Sequence, residues 1–305
     1  MVRAQILRWG AAAVIFTALP GVSCFGTGNP GPPKFDRDHA FGYLERQVSF
    51  GPRVPGTEAH EKTADWLVSV LRDYTSQVTV QPFNGTFGGT EASMKNILAS
   101  FYPGTMKRVL LCAHWDSRHH ADRDPDPAHH DMPVPGANDG ASGVAVLLEI
   151  AGCLAGQEPP VGVDIVLFDG EDGGRYRDDA SWLLGSRHFA SVMPQNFRPE
   201  YALLLDMVGD SDLVLSSDFS SIKSAPRVWE RIVRHCKALH IPIDSEPVGI
   251  LDDHVPLIGR GIPSVDIIDF TYLFWHTVSD TPDKCSPESL GKIGELVLRL
   301  LYEER

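Results

Sequence analysis

Six short apolar runs mark the chain, and between them apolar positions recur at helical spacing. Residues 108–113, 164–168 and 201–205 are continuously apolar over a few positions, the pattern of strands buried on both faces of a sheet. Residues 78–81, 95–100 and 264–268 also read as strands. Over residues 57–74 the positions Ala64, Leu67, Val68 and Leu71 share one helical face, with Thr57 placed to cap the first turn. Residues 143–154 read as a buried helix, and residues 227–239 as a helix that turns Val228, Ile232, Cys236 and Leu239 inward. Residues 287–302 close the chain as a helix with Pro287 in its first turn. Strands alternating with helices predict one α/β domain, with a central, mostly parallel mixed sheet flanked by helices on both faces. No internal repeat interrupts this order.

The chain has 305 residues, enough for one large domain with a substantial core. Its net charge of −13 argues against nucleic acid as a partner, because phosphate binding needs a basic face. Residues 1–24 read as an export signal: Arg3 and Arg8 precede an apolar stretch, residues 10–19, that is too short to span a bilayer. Cys24 follows small residues as at a lipoprotein attachment site, although Gly21 stands where that pattern prefers Leu; simple cleavage is the alternative. The expectation is an exported protein, periplasmic or extracellular, with any membrane attachment made through Cys24. Residues 25–35 are rich in Gly and Pro and read as a linker, leaving residues 36–305 as the catalytic domain. No C-x-x-C spacing links Cys112, Cys153, Cys236 and Cys285, so a cysteine zinc cluster is not expected; an exported context permits disulfides, and buried free thiols are the simpler reading for at least two of the four.

Chemistry concentrates where the apolar runs end. His114 and Asp116 follow one run, Asp169, Glu171 and Asp172 a second, and Asp206 a third; Asn138-Asp139 precedes a helix and Trp275-His276 lies near the C-terminus. Ligands of open α/β sheets bind outside the carboxyl ends of the strands, so these distant residues should meet there. Buried carboxylates and imidazoles are costly without a compensating cation, and imidazole with carboxylate is a zinc donor set. The candidate ligands are His114, Asp139, Asp172, Asp206 and His276, with Glu171 beside them as general acid/base. Singly, each has a plainer explanation: a helix cap for Asp139, a turn for Asp116, a surface histidine for His276. Two loops carry further charge. Residues 118–135, with His119, His120, His129 and His130, read as a solvated rim over the site, and residues 173–180 as a charged surface loop.

Several segments resemble the zinc aminopeptidase superfamily that carries a co-catalytic metal site. They are Gly51-Pro-Arg-Val-Pro-Gly56, His114-Trp-Asp-Ser117, Gly136-Ala-Asn-Asp-Gly-Ala-Ser-Gly143 and Asp169-Gly-Glu-Asp172. Within it, Leu184-Gly-Ser-Arg-His188, Leu204-Leu-Asp-Met-Val-Gly209, Leu251-Asp-Asp-His-Val-Pro256 and Trp275-His-Thr277 resemble the glutaminyl cyclase branch, the animal glutaminyl-peptide cyclotransferases and their bacterial relatives. The resemblance runs from about Phe50 to the C-terminus and implies a zinc-exopeptidase-like fold. It implies one zinc held by Asp139, Asp172 and His276, with Glu171 as general acid/base. It also implies Asp206 and Asp252 near the reacting amide, sharing a proton, and Trp275 walling the substrate pocket. Peptides or proteins beginning with Gln would be the substrates. Three departures stand out. Asp172 replaces the usual Glu and is one methylene shorter. The animal disulfide is unmatched, since Cys112 is displaced by one position and Val144 occupies the partner position. A second pocket Trp lacks a clear counterpart, Trp182 being offset.

The same residues admit a two-zinc aminopeptidase, in which His114 and Asp206 hold a second zinc, Asp139 bridges, and Glu171 is the base for a water. Asp252 and Trp275 favour the cyclase, because similar aminopeptidases carry Ser before Asp-His and lack a Trp before the last His. A non-catalytic relative is the third class, and the filled ligand set with Glu171 intact argues against it.

Overall fold

A computed structural model describes residues 31–303. Residues 1–30, with the expected export signal, Cys24 and most of the linker, lie outside the described residues. Asp36 caps α1 (Arg37–Ser49), its carboxylate accepting from the Asp38 and His39 amides. Thr57 caps α2 (Glu58–Tyr74) through its side chain, and Ala64, Leu67 and Leu71 are buried as their spacing predicts. Then come β1 (Val78–Phe87) and β2 (Thr90–Phe101), joined through Gly88 and Gly89, both at positive φ where glycine is unstrained. After β3 (Arg108–His114) follow α3 (Ala141–Gly156), β4 (Gly162–Phe168), α4 (Leu184–Val192) and β5 (Tyr201–Asp206). The chain closes with α5 (Phe219–Ser224), α6 (Pro226–Leu239), α7 (His254–Gly259), β6 (Ser264–Ile268) and α8 (Pro287–Tyr302).

The six strands form one mixed sheet in the order β1-β2-β4-β3-β5-β6. β1 and β2 pair antiparallel with their neighbours, whereas β4, β3, β5 and β6 are mutually parallel. Each apolar run divides its side chains between two cores. Val109, Leu111, Ala113, Leu203 and Leu205 face a large core that includes residues of α1, α2, α3, α6 and α8. Leu110, Cys112, Val166, Leu204 and Phe168 face a smaller one with Phe189, Met193 and Leu257. Both faces are therefore covered, which is why the runs show no polar alternation.

This order creates the switch point. From β3 the chain crosses to β4 on one side, then returns to β5 on the other. The carboxyl ends of β3, β4 and β5 thus open together into one crevice. α3 is held close over it because Gly143 has no side chain: a Cβ there would stand 2.1 Å from the Leu205 carbonyl oxygen. Gly143→Ala should therefore force α3 away from β5 and destabilise the fold by about 1–3 kcal/mol, lowering the midpoint of urea denaturation. An unchanged midpoint would contradict this packing.

Candidate active site

β3 ends on His114, β5 ends on Asp206, and the turn after β4 carries Glu171 and Asp172. Gly140 precedes α3 and lies against the His114 ring; a Cβ there would sit 2.4 Å from Nε2. That close approach brings Asp139 into reach. His114 Nε2 lies 3.0 Å from Asp139 Oδ1 and 3.1 Å from Asp206 Oδ1. His276, at positive φ in the loop after β6, puts Nε2 3.2 Å from Asp172 Oδ1 and 3.8 Å from Asp139 Oδ2. Two donor groups result, His114–Asp139–Asp206 and Asp139–Asp172–His276, each with ligand atoms within 4.8 Å of one another and all buried.

The two groups differ in what their oxygens touch. Asp139 Oδ1 and Asp206 Oδ1 both meet the His114 ring. Asp139 Oδ2 and Asp172 Oδ2 are buried with no hydrogen-bond partner. Orphaned buried carboxylate oxygens beside an imidazole are a donor set short of a cation, so the residues around His276 fit a zinc ion.

A second layer of carboxylates holds the first through backbone amides. Asp116 accepts from the Glu171 amide with one oxygen and from the Asp172 amide with the other, both at 3.1 Å. Asp280 does the same for the Asn138 and Asp139 amides, at 2.8 and 3.2 Å, and accepts the Tyr272 hydroxyl. Burial and the neighbouring Asp139 charge push the Asp280 carboxyl up to about 7. Fully buried Arg53 ties the loops together, donating to the Trp115, Pro135 and Gly136 carbonyls.

A cleft of about 190 Å³ opens over these residues. Asp139, Glu171, Asp172, Asp206, Asp252 and His276 form its floor, and Trp182, Trp275, Phe270, Ile250 and Leu251 wall it. Burial raises the Glu171 carboxyl well above the usual range; His114 opposes this, while Asp172, Asp252 and Asp253 add to it. Burial likewise raises Asp252, with Asp206 and Asp253 reinforcing it. Glu171 is thus a carboxyl of raised proton affinity on the lining of a pocket that also holds Trp182, Phe270 and Trp275.

Residues 96–301 match Peptidase family M28. The chain belongs to that family. It resembles a Porphyromonas gingivalis glutaminyl cyclase structure at 40% identity and TM-score 0.84, over 88% of this chain and 98% of that one. A Zn-dependent exopeptidase from Parabacteroides distasonis is 38% identical with TM-score 0.84, over 90% and 100%. The mouse glutaminyl-peptide cyclotransferase-like protein is 26% identical over 284 residues, 82% of this chain and 72% of its own length. This M28 chain is accordingly a zinc-dependent enzyme that resembles the glutaminyl cyclase branch of its superfamily.

Nine of the expected residues, His114, Asp116, Asp139, Glu171, Asp172, Asp206, Asp252, Trp275 and His276, come together, with Asp116 behind the others. Asp169 does not join them. It turns away to His60, 2.9 and 3.0 Å from Nε2, and accepts the Lys95 amide. The histidines of residues 118–135 enter neither donor group; His129 binds Asp124, and His119 packs against Phe87. That loop is nevertheless more than a solvated rim, because Arg118 and Asp122 reach Asp172 and His276. Trp182, offset in sequence, lines the same cleft as Trp275. The four described cysteines are free, three of them buried and Cys153 half-buried. Arg118 follows His114-Trp-Asp-Ser117 directly, but only the folded loop reveals whom it meets.

Both oxygens of Asp116 must accept, so Asp116→Asn puts an amide donor against a backbone N–H. This should destabilise the fold by about 1–3 kcal/mol and lower activity by shifting Glu171 and Asp172. Full stability and activity in denaturant and turnover assays would show that Asp116 is not their anchor.

Proposed function

We propose that this M28 enzyme is a glutaminyl-peptide cyclotransferase, converting the N-terminal Gln of peptides to pyroglutamate with release of ammonia. The observation that carries the reading is the contrast between the donor groups. The partnerless oxygens lie on Asp139 and Asp172 beside His276, while Asp139 Oδ1 and Asp206 Oδ1 share the single Nε2 of His114. One metal site fits a cyclase, which needs no water nucleophile. Zinc bound by Asp139, Asp172 and His276 would act as a Lewis acid on the Gln side-chain amide.

The remaining work falls to this chain's own residues. Trp275 and Trp182 enclose the side chain of the first residue and exclude water from it. Glu171 accepts a proton from the α-amine, whose nitrogen attacks the γ-carbonyl carbon. The ring C–N bond forms, the C–N bond to the amide nitrogen breaks, and Glu171 returns the proton to the departing ammonia. Its raised affinity for protons suits a group that must take and give one within a single turnover. Asp252 keeps its proton beside Asp206 and donates a hydrogen bond toward the amide. The alternative, a two-zinc aminopeptidase, uses His114 and Asp206 as ligands and releases the first residue.

Incubating the purified zinc-loaded protein with a Gln-initiated and a Leu-initiated peptide separates the two by mass spectrometry. The expected products are a Gln peptide lighter by one ammonia and an intact Leu peptide; free amino acids would establish the aminopeptidase instead. Glu171→Gln should lower cyclisation by about 10²–10⁴-fold with zinc retained, and undiminished turnover would remove Glu171 from the chemistry.

A further inference from the structure

Four side chains close a ring along one flank of the donor group around His276. Arg118 donates through Nη1 to Asp172 Oδ1 at 3.0 Å and to the Asp172 carbonyl at 3.1 Å. Its Nε and Nη2 donate to the two oxygens of Asp122 at 2.7 and 2.8 Å. Asp122 Oδ1 lies 3.3 Å from His276 Nδ1, and His276 Nε2 returns to Asp172 Oδ1 at 3.2 Å. The Arg118 guanidinium also lies over Trp182, 4.8 Å from the ring centroid. Trp182 in turn stands parallel to the His276 ring, at 6.2 Å and 9°.

The consequences follow from the chemistry of each bond. A guanidinium paired with a carboxylate through two parallel bonds is fixed in orientation, which Lys cannot reproduce. Arg118 engages Asp172 Oδ1 and its own backbone carbonyl, which sets the side chain's rotation and leaves Oδ2 as the partnerless oxygen. An Asp has one torsion fewer than a Glu with which to search for a metal, so its placement is set by the groups that hold it. Asp122 Oδ1 faces His276 Nδ1; a proton held between them would fix the ring and present the Nε2 lone pair to a metal. Arg118 and Asp172 are buried, so their pairing is shielded from solvent and salt, whereas the Asp122 side chain is 46% exposed.

We propose that Arg118 and Asp122 are positioning residues for the zinc site. They hold Asp172 Oδ2 and His276 Nε2 ready for the metal, and Arg118 also seats Trp182 as a pocket wall. The inference rests on the metal group assigned under the proposed function, but it concerns affinity and so is measured apart from cyclisation.

The test is zinc affinity of the full chain by competition with a chromophoric chelator, for Asp122→Asn, Arg118→Gln, Arg118→Lys and His276→Ala. Asp122→Asn and Arg118→Gln should each bind zinc about 10–100-fold more weakly, with Arg118→Lys also weakened. The melting temperature of the metal-free Asp122→Asn protein should match that of the metal-free parent. Saturating zinc should restore kcat in Asp122→Asn, and Arg118→Gln should retain a raised KM from its displaced Trp182. Parental affinity in Asp122→Asn and Arg118→Gln, with binding lost in His276→Ala, would overturn this inference and leave the site assignment standing. Parental affinity in His276→Ala would overturn the site assignment and this inference with it. A metal-free Asp122→Asn protein that melts as far below its parent as the zinc-loaded pair differ would make the role merely structural, against the proposal.

Discussion

The constraint on which the structure turns is the burial of like charge. Asp139, Glu171, Asp172, Asp206 and Asp252 surround one small cleft, each nearly out of reach of water. Carboxylates so placed repel one another and lose their hydration, so something must hold them and something must offset them. Backbone amides do the holding: Asp116 fixes the turn of Glu171 and Asp172, and Asp280 fixes Asn138 and Asp139. Two imidazoles offset part of the charge, and burial raises the proton affinity of the Glu171 and Asp252 carboxyls. What remains is a pair of partnerless oxygens beside His276, the place for a cation.

The fold serves this cluster through its crossover order. Because β3 lies between β4 and β5, three strand ends deliver His114, Glu171–Asp172 and Asp206 to one crevice. Close packing at Gly140 and Gly143 brings α3, and Asp139 before it, against β3 and β5. The same arrangement would serve hydrolysis or cyclisation. The difference lies in finer features: Trp275 and Trp182 on the cleft lining, the buried Asp252, and the approach of His114 to Asp139 and Asp206.

Much of this was legible in the chain. Continuous apolar runs identified β3, β4 and β5 because strands covered on both faces carry no polar alternation, and the residues ending those runs, Asp169 apart, meet around one cleft. Helix α1 escaped notice, since its buried positions are only Ala40, Leu44 and Gln47 within a charged stretch. The long hairpin of β1 and β2 was read only in part: its distal half is largely exposed, so its sequence bears no burial signal. Asp169 sits among functional neighbours in sequence yet binds His60 behind them, since successive residues after a strand point different ways. Arg118, Asp122 and Asp280 went unseen for the opposite reason. They lie in polar loops, and their roles exist only through contacts made across the fold.

The account stands on a single zinc, held beside His276, sufficing for cyclisation. Titrating the metal-free protein with zinc while following both bound metal and turnover of a Gln-initiated peptide tests this most directly. The account predicts that activity rises in proportion to the first equivalent and reaches its plateau there. Activity that stays absent until a second equivalent binds would contradict it and place His114 and Asp206 among the working ligands.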